Sequence, residues 1–313
     1  MNIHCLEDVP SAALGSALGV FETQFSYPLG PGATFRISHG QDYTRFFRAI
    51  GRAACFVAED DGRVLGTLAV VLRRLARPDG TEQTTAYLAD LKVAPEARGS
   101  RALFRLAAAA RGWAQATADT GFSIVMDGTR ATPPDYTGRA SIPAFRVLAK
   151  VLVLRIPAAE AAPGDGWEAD TMRGERCYRE LSRGRYATVG GTPRERSEGE
   201  PCWLLDRDQT ACGLLEDTRR GKRLLADDGS ELQSAHLSYF AFATARDGAR
   251  LLLESRRRCA ARGYPALFAA VAEADGRAVV AELGRIGTVI APATVYGIGL
   301  DAGPSWNVNT AEI

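Results

Sequence analysis

Apolar and polar positions along this chain alternate with a period of two in several short runs, the pattern of strands that bury one face. Cys55 to Glu59 and Val64 to Leu72 are two such runs, and Asp60-Asp61-Gly62 between them is a hairpin turn. A second turn, Pro78-Asp79-Gly80, leads to a third run, Tyr87 to Val93. From Arg101 to Thr117 the apolar spacing becomes that of an amphipathic helix. Phe122 to Met126 is short and mostly apolar, as a buried strand is, and a loop with Pro133-Pro134 follows it. Val147 to Ile156 closes the series. Asp42 to Phe47 reads as a short helix with an aromatic face, after an irregular stretch from Phe21 to His39. Pro157 to Gly166 has the composition of a linker.

The same pattern then recurs. Shifted by 147 residues, Cys55, Asp61, Gly66 and Leu68 fall on Cys202, Asp208, Gly213 and Leu215. Shifted by 149, Asp79-Gly80-Thr81-Glu82 falls on Asp228-Gly229-Ser230-Glu231, and Ala86, Leu88, Gly99, Arg101 and Leu103 meet Ala235, Leu237, Gly248, Arg250 and Leu252. The period is far too long for a solenoid. It implies two copies of one domain, residues 1–159 and 160–313, packed together.

Composition narrows the class. The chain has 313 residues, enough for two domains of roughly 150. Its net charge of +1 gives no support for a nucleic acid or anionic membrane as partner. Lysine occurs only at Lys92, Lys150 and Lys222, a bias read as that of a GC-rich genome. The six cysteines lack paired spacing, which argues against a zinc site or a disulfide framework and fits a reducing cytoplasm. The N-terminus shows no signal peptide, and no run approaches the ~18 apolar residues that cross a bilayer. Serine-hydrolase, zincin and Walker motifs are missing too.

The stretch from Tyr87 to Arg105 carries the chemistry. A strand ends at Pro95, a turn follows with Arg98-Gly99-Ser100, and a helix starts. A strand that re-enters as a helix presents free N–H groups and a positive dipole end, an anion site suited to phosphate or pyrophosphate.

The order of elements resembles the GNAT superfamily of acyl-CoA N-acyltransferases, through Leu91-Lys92-Val93-Ala94-Pro95-Glu96-Ala97-Arg98-Gly99 and the hairpin from Asp60 to Gly66. The resemblance covers most of residues 35 to 156 and recurs more weakly over 200 to 300. It implies an α/β (α+β) chain of two GNAT-like domains, each a mixed, mostly antiparallel sheet flanked by helices. It further implies transfer of an acetyl group from acetyl-CoA to an amine of a small molecule or peptide, without a metal. Leu91 and Val93 would offer backbone groups to the pantetheine. Arg98, Gly99, Ser100, Arg101 and Ala102 would hold the pyrophosphate. The loop departs from the family's R/Q-x-x-G-x-G/A, because Arg101 stands where the second glycine should be and Leu103 at the small-residue position. In the second copy an acid, Asp247, precedes Gly248, so that site is expected to be dead or repurposed.

Candidate catalytic groups are Asp90, as a base acting directly or through water, and Tyr87, which a strict alternation puts on the opposite face of the strand. A tyrosine with a pKa of ~10 is a poor base. Tyr136 stands at the family's acid-tyrosine distance after the Phe122 strand. Phe25, Tyr27 and His39 are the candidate acceptor contacts, although core or turn roles suit the same residues. A second copy that dimerises the protein is one reading of the tandem. A catalytically inactive CoA- or metabolite-binding scaffold, or an enzyme for a longer acyl-CoA, are the alternatives.

Overall fold

The computed structural model describes residues 1–30, 33–138, 142–160 and 166–313. The core of the proposed linker, 161–165, lies outside the described residues. The first half runs β1 (Asn2–Leu6), α1 (Ala12–Glu22), β2 (Tyr27–Gly30), β3 (Ala33–Ser38), α2 (Arg45–Arg48), β4 (Arg52–Asp60), β5 (Arg63–Ala76), β6 (Glu82–Val93), α3 (Ala102–Ala114), β7 (Gly121–Met126), α4 (Pro133–Tyr136) and β8 (Arg146–Pro157). The second runs β9 (Trp167–Glu168), α5 (Thr171–Leu181), β10 (Tyr186–Val189), α6 (Pro193–Arg196), β11 (Cys202–Asp206), β12 (Ala211–Glu216), β13 (Arg223–Ala226), β14 (Ala235–Phe242), α7 (Ala245–Ala261), β15 (Ala266–Ala272), α8 (Glu273–Leu283), β16 (Val289–Ile298) and β17 (Trp306–Asn307).

The strand runs seen in the sequence are where alternation puts them, and the Asp61-Gly62 turn has the two positive φ angles, 49° and 76°, of a tight hairpin. The irregular stretch from Phe21 to His39 is in fact the end of α1 and the pair β2–β3. That pair lacks a sequence signature because its third strand is β13 from the other half.

Both halves share one large sheet, in the order β1-β4-β5-β6-β7-β16-β8-β15-β14-β12-β11-β9, mostly antiparallel. The halves exchange their last strands. β16 of the second half lies between β7 and β8 of the first, and β8 lies between β16 and β15. Smaller pairings repeat the exchange reciprocally. Arg74 faces Val189 where β5 meets β10, and the equivalent Arg223 faces Ser38 where β13 meets β3. The repeat is therefore a pseudo-twofold.

Its sharpest mark is a bulge. In β6, Asp90 and Leu91 stand opposite Leu68 alone, and Asp90 has φ 52°. In β14, Tyr239 and Phe240 stand opposite Gly213 alone, and Tyr239 has φ 51°. The two positions are 149 residues apart, the offset read from the sequence. A positive φ at a non-glycine residue is costly, so its duplication is a conserved backbone device of the repeat rather than an accident.

Four apolar clusters pack the sheet. One fills the middle and joins the halves, with Phe21, Phe47, Tyr87 and Phe122 against Tyr186, Val295, Trp306 and Val308. The others lie under α3, under α7 and under α5.

Candidate active site

β6 and β7 are parallel neighbours only at Ala86–Gly121 and Tyr87–Phe122. Beyond Tyr87 they part, leaving a backbone edge open along β6. Ala94 N donates to Leu65 O at 2.9 Å, so Ala94 and Lys92 serve the β5 side. Alternation then turns the backbone groups of Val93 and Leu91 into the gap. At the end of the gap a 3₁₀ turn, Pro95–Ala97, leads through Arg98 and Gly99 (φ 80°) to Arg101, the residue before α3. The Ser100 hydroxyl accepts from Ala102 N at 3.1 Å. The N–H groups of Gly99 and Arg101 make no hydrogen bond among the described residues, and Arg98, Gly99, Ser100 and Arg101 are exposed. This is an anion-ready turn at the open end of a splayed strand, with two arginines beside it.

At the bulge itself lies a buried charged cluster. Asp90 Oδ1 is 2.6 Å from Lys92 Nζ, and Tyr43 donates its hydroxyl to Asp90 Oδ2. Lys92 Nζ is 4.0 Å from Glu22 Oε1 and 5.9 Å from the Phe25 ring centre. Glu22 in turn accepts from His39 N at 3.1 Å and holds His39 Nδ1 at 2.5 Å. Burial would raise the Asp90 carboxyl, but Lys92, His39 and the Tyr43 hydroxyl outweigh it and hold it below the usual range. Burial would lower Lys92, but Asp90, Tyr27 and Glu22 outweigh it and keep the ammonium charged. Burial, then Asp90, pushes the Tyr43 phenol well up. The Lys92–Asp90 contact is thus a close ion pair removed from water.

The other half reaches in with Lys222. Its Nζ lies 4.5 Å from the Phe46 ring centre and donates to Ile313 O. Gly221 makes the approach: a Cβ there would stand 2.9 Å from Phe46 Cα. Burial, then repulsion from Arg196, brings Lys222 down to about 7. Arg73 occupies the pseudo-equivalent place. It donates to Glu312 Oε1 at 2.8 Å and to the hydroxyl of Tyr239, the bulge residue of the second half, at 3.2 Å.

The structure brings Asp90, Tyr27, Phe25 and His39 together around Lys92. It does not bring in Tyr87, which stacks on Phe122 at 5.0 Å and donates its hydroxyl to Glu312 O at 2.6 Å inside the core. Burial pushes that phenol far up, and a proton so held makes no base. The expected opposite faces of Tyr87 and Asp90 are corrected as well. The bulge breaks the alternation and turns Asp90 toward Tyr43, which shares a core cluster with Tyr87. Tyr136 ends α4, which follows β7, and lies near Tyr296; burial, then Tyr296, raises it to about 12. Lys92, Glu22, Tyr43 and Lys222 escaped the sequence reading. Two of the three lysines in the chain, Lys92 and Lys222, are buried here.

In the second half the cofactor side is closed. Only Ala243 and Thr244 connect β14 to α7, where eight residues, 94–101, connect β6 to α3. Thr244 Oγ1 accepts from Asp247 N at 3.3 Å and donates to the Asp247 carboxylate at 2.6 Å, so the helix start is capped by its own acid.

Residues 25–131, which contain the bulge, the splayed strand and the turn before α3, match the model of the acetyltransferase (GNAT) family. Residues 25–131 are a GNAT-family domain. The GNAT fold extends over the whole tandem. N-myristoyltransferase from Saccharomyces cerevisiae, solved with bound myristoyl-CoA, is similar with a TM-score of 0.63 and 10% identity, over 99% of this chain and 87% of that one. A GCN5-related N-acetyltransferase from Anabaena variabilis is similar with a TM-score of 0.53 and 13% identity, over 95% of this chain and 72% of that one. No curated protein sequence matches. Among the described residues no His, Cys, Asp or Glu group could hold a metal ion, and no helix is long and apolar enough to cross a membrane.

Proposed function

We propose that the first half is an acetyl-CoA-dependent N-acetyltransferase acting on an amine of a small molecule or peptide. The observation that carries this is the parting of β6 from β7 past Tyr87, with a bulge at one end and an uncapped arginine-flanked turn at the other. The residues fit the cofactor: an extended chain pairs with the open edge at Leu91 and Val93, and a pyrophosphate meets Gly99 N, Arg101 N and the Arg98 and Arg101 side chains. When bound, acetyl-CoA supplies an activated thioester.

At the bulge Asp90 and Leu91 leave one-to-one pairing with β5, and their backbone groups face the developing carbonyl charge in this reading. His39 is the proton acceptor we favour over Asp90. Glu22 holds its Nδ1 side, and Nε2 makes no hydrogen bond among the described residues, so Nε2 is the ring atom left to take a proton. Asp90, locked between Lys92 and Tyr43, keeps the bulge in place. Tyr136, raised to about 12 by burial, keeps its proton at neutral pH and serves as the donor to the leaving thiolate. The rings of His39, Tyr43 and Phe47, 4.8 to 5.9 Å apart and all buried, fill the space beside Asp90, which favours a short acyl group over a long chain. Six free cysteines suit a cytoplasmic setting.

The test is calorimetry with acetyl-CoA, followed by thiol-release assays against a panel of amines and peptides. One site per chain that weakens at least tenfold in Arg98→Glu supports the reading. Failure to bind at millimolar acetyl-CoA overturns it. Binding without turnover on any amine would leave a CoA-binding scaffold.

A further inference from the structure

All six cysteines are free, and two of them meet. Cys177 sits on α5 and Cys212 on β12, in the apolar cluster that α5 buries against the sheet. They are 3% and 0% exposed, and their thiols are in hydrogen-bond contact. Cys177 also donates to Gln209 O at 3.4 Å, in the turn that leads into β12.

The helix lies unusually low over the strands at this point. A disulfide can join a helix to a sheet only there, because its two Cα atoms must come within about 7 Å. Gly174 and Cys177 are one helical turn apart on the face of α5 that meets the sheet. A Cβ on Gly174 would stand 2.5 Å from the Trp203 ring, so a glycine is what lets α5 settle this close. From below, Cys212 pairs with Leu205 across the β11–β12 ladder, and both side chains belong to the cluster under α5.

The two thiols are not equivalent. The hydrogen bond with Cys212, helped by Arg173 and Arg176 on the same helix, holds the Cys177 thiol below its usual range in spite of burial. Burial pushes Cys212 well up, and it raises Cys5, Cys55 and Cys259 too. Of these five thiols Cys177 is therefore the first to ionise. Its partner Gln209 belongs to an exposed turn, 207–209, so a reagent the size of water has only that turn to pass.

We propose that Cys177 and Cys212 are a peroxide-sensitive thiol pair that closes to a reversible disulfide within the second half. The Cys177 thiolate attacks the O–O bond of hydrogen peroxide, hydroxide leaves, and a sulfenic acid forms. The Cys212 sulfur then attacks the Cys177 sulfur, and the sulfenic hydroxyl leaves with the Cys212 proton as water. Two thiols and one peroxide give one disulfide and two waters, and a dithiol reverses the reaction. The bond staples α5 to β12. The same helix holds Glu82 of the first half through Arg179 at 3.2 Å. This inference stands on the thiol contact and does not need the transferase reading.

The test uses the full chain, reduced, freed of reductant and exposed to a few equivalents of hydrogen peroxide at neutral pH. Unfolding in N-ethylmaleimide should then give four adducts in place of six, and all six again after dithiothreitol. Tryptic mapping should join Cys177-Tyr178-Arg179 to residues 208–219. Because the link limits the freedom of the unfolded chain, the oxidised protein should melt about 5 °C or more above the reduced one. In Cys212→Ala the sulfenic acid has no thiol to meet, so dimedone should label Cys177 there and not in the wild type. A Cys177 that stays reduced while Cys5 or Cys202 oxidises would overturn the proposal. So would a link between any other two cysteines, sulfinic acid at Cys177 of the wild type without a link, or a lower melting temperature in the linked chain.

Discussion

Removing the ammonium of Lys92 tests whether the charged cluster at the bulge is held as described. Lys92 and Asp90 side chains are 4% and 9% exposed and 2.6 Å apart. Truncating one partner of such a pair leaves the other charge buried without its counterion, a loss of about 3–5 kcal/mol. In Lys92→Met the Asp90 carboxylate keeps one hydrogen bond, from Tyr43, which places the expected loss near the lower end, about 3 kcal/mol. Asp90→Asn should cost less, about 2 kcal/mol, because asparagine tolerates a φ of 52° and still accepts from Tyr43, while Lys92 retains Glu22 at 4.0 Å. The double variant removes both charges, so its loss should fall short of the sum of the singles by roughly 2 kcal/mol. Urea unfolding at pH 7, on all four proteins of the cycle, measures each term. The sign in acid follows from the lowered Asp90 carboxyl. Its stabilisation is present above the unfolded pKa and is lost as pH falls through the folded one. Lys92→Met should therefore be closest to wild type in strong acid. A loss below about 1 kcal/mol for Lys92→Met, or strict additivity in the cycle, would refute the buried ion pair as the device that holds the bulge.

Other outcomes follow from the same geometry. His39→Gln, with Glu22 left in place, should cut kcat for amine acetylation about 10²- to 10⁴-fold while acetyl-CoA affinity stays within a factor of about three; an unchanged kcat would remove His39 as base. His236 is buried against Thr310 and brought down to about 3 by burial, then by Lys222 and Arg196. The unfolded chain therefore binds one proton more between pH 6.5 and that value, and stability should drain away as pH falls through this window, by several kcal/mol; His236→Gln should flatten the acid limb of urea midpoint against pH. Glu312→Gln weakens the contacts to Arg73 at 2.8 Å and Arg196 at 3.5 Å, both fully buried, and should cost about 3 kcal/mol or more in a thermal or urea melt.

The sequence was legible where structure is local. Alternation from Cys55 to Leu72 and the Asp60-Asp61-Gly62 turn specify a hairpin on their own, and the Tyr87 to Arg105 stretch specifies strand, turn and helix. The two bulges, found only in the structure, sit at Asp90 and Tyr239, 149 residues apart, which is the offset at which the sequence copies align. What stayed hidden depends on partners far along the chain. β2 and β3 exist as strands because β13 completes them. The face of Asp90 could not be read because a bulge shifts the alternation by one, and the bulge is a property of pairing with β5 rather than of any residue type. Glu22 and Tyr43 meet His39 and Asp90 only after folding. The lysines are a different case. Of the three lysines, Lys150 is exposed and pairs with Asp127, while the other two are buried. Lys92 is a compact point charge in a buried gap, and Lys222 is buried against Phe46.

The exchange of last strands decides whether the two halves are separable. β8 has two neighbours, β16 and β15, and both come from the second half; β16 has two neighbours, β7 and β8, and both come from the first. A fragment of residues 1–159 would carry β8 with neither edge paired and with Val151, Val153, Leu154 and Ile156, now at most 8% exposed, facing water. At about 1.5–3 kcal/mol for each such side chain, the loss is roughly 6–12 kcal/mol, the size of a whole domain's net stability. Fragments 1–159 and 160–313 expressed singly should therefore be insoluble or lack a cooperative melt, while co-expression should give a one-to-one complex, since each supplies the strand that the other lacks. A soluble, monomeric 1–159 with a sharp thermal transition would mean that β8 finds a partner within its own half, and that the exchange is an alternative pairing rather than the one the chain depends on.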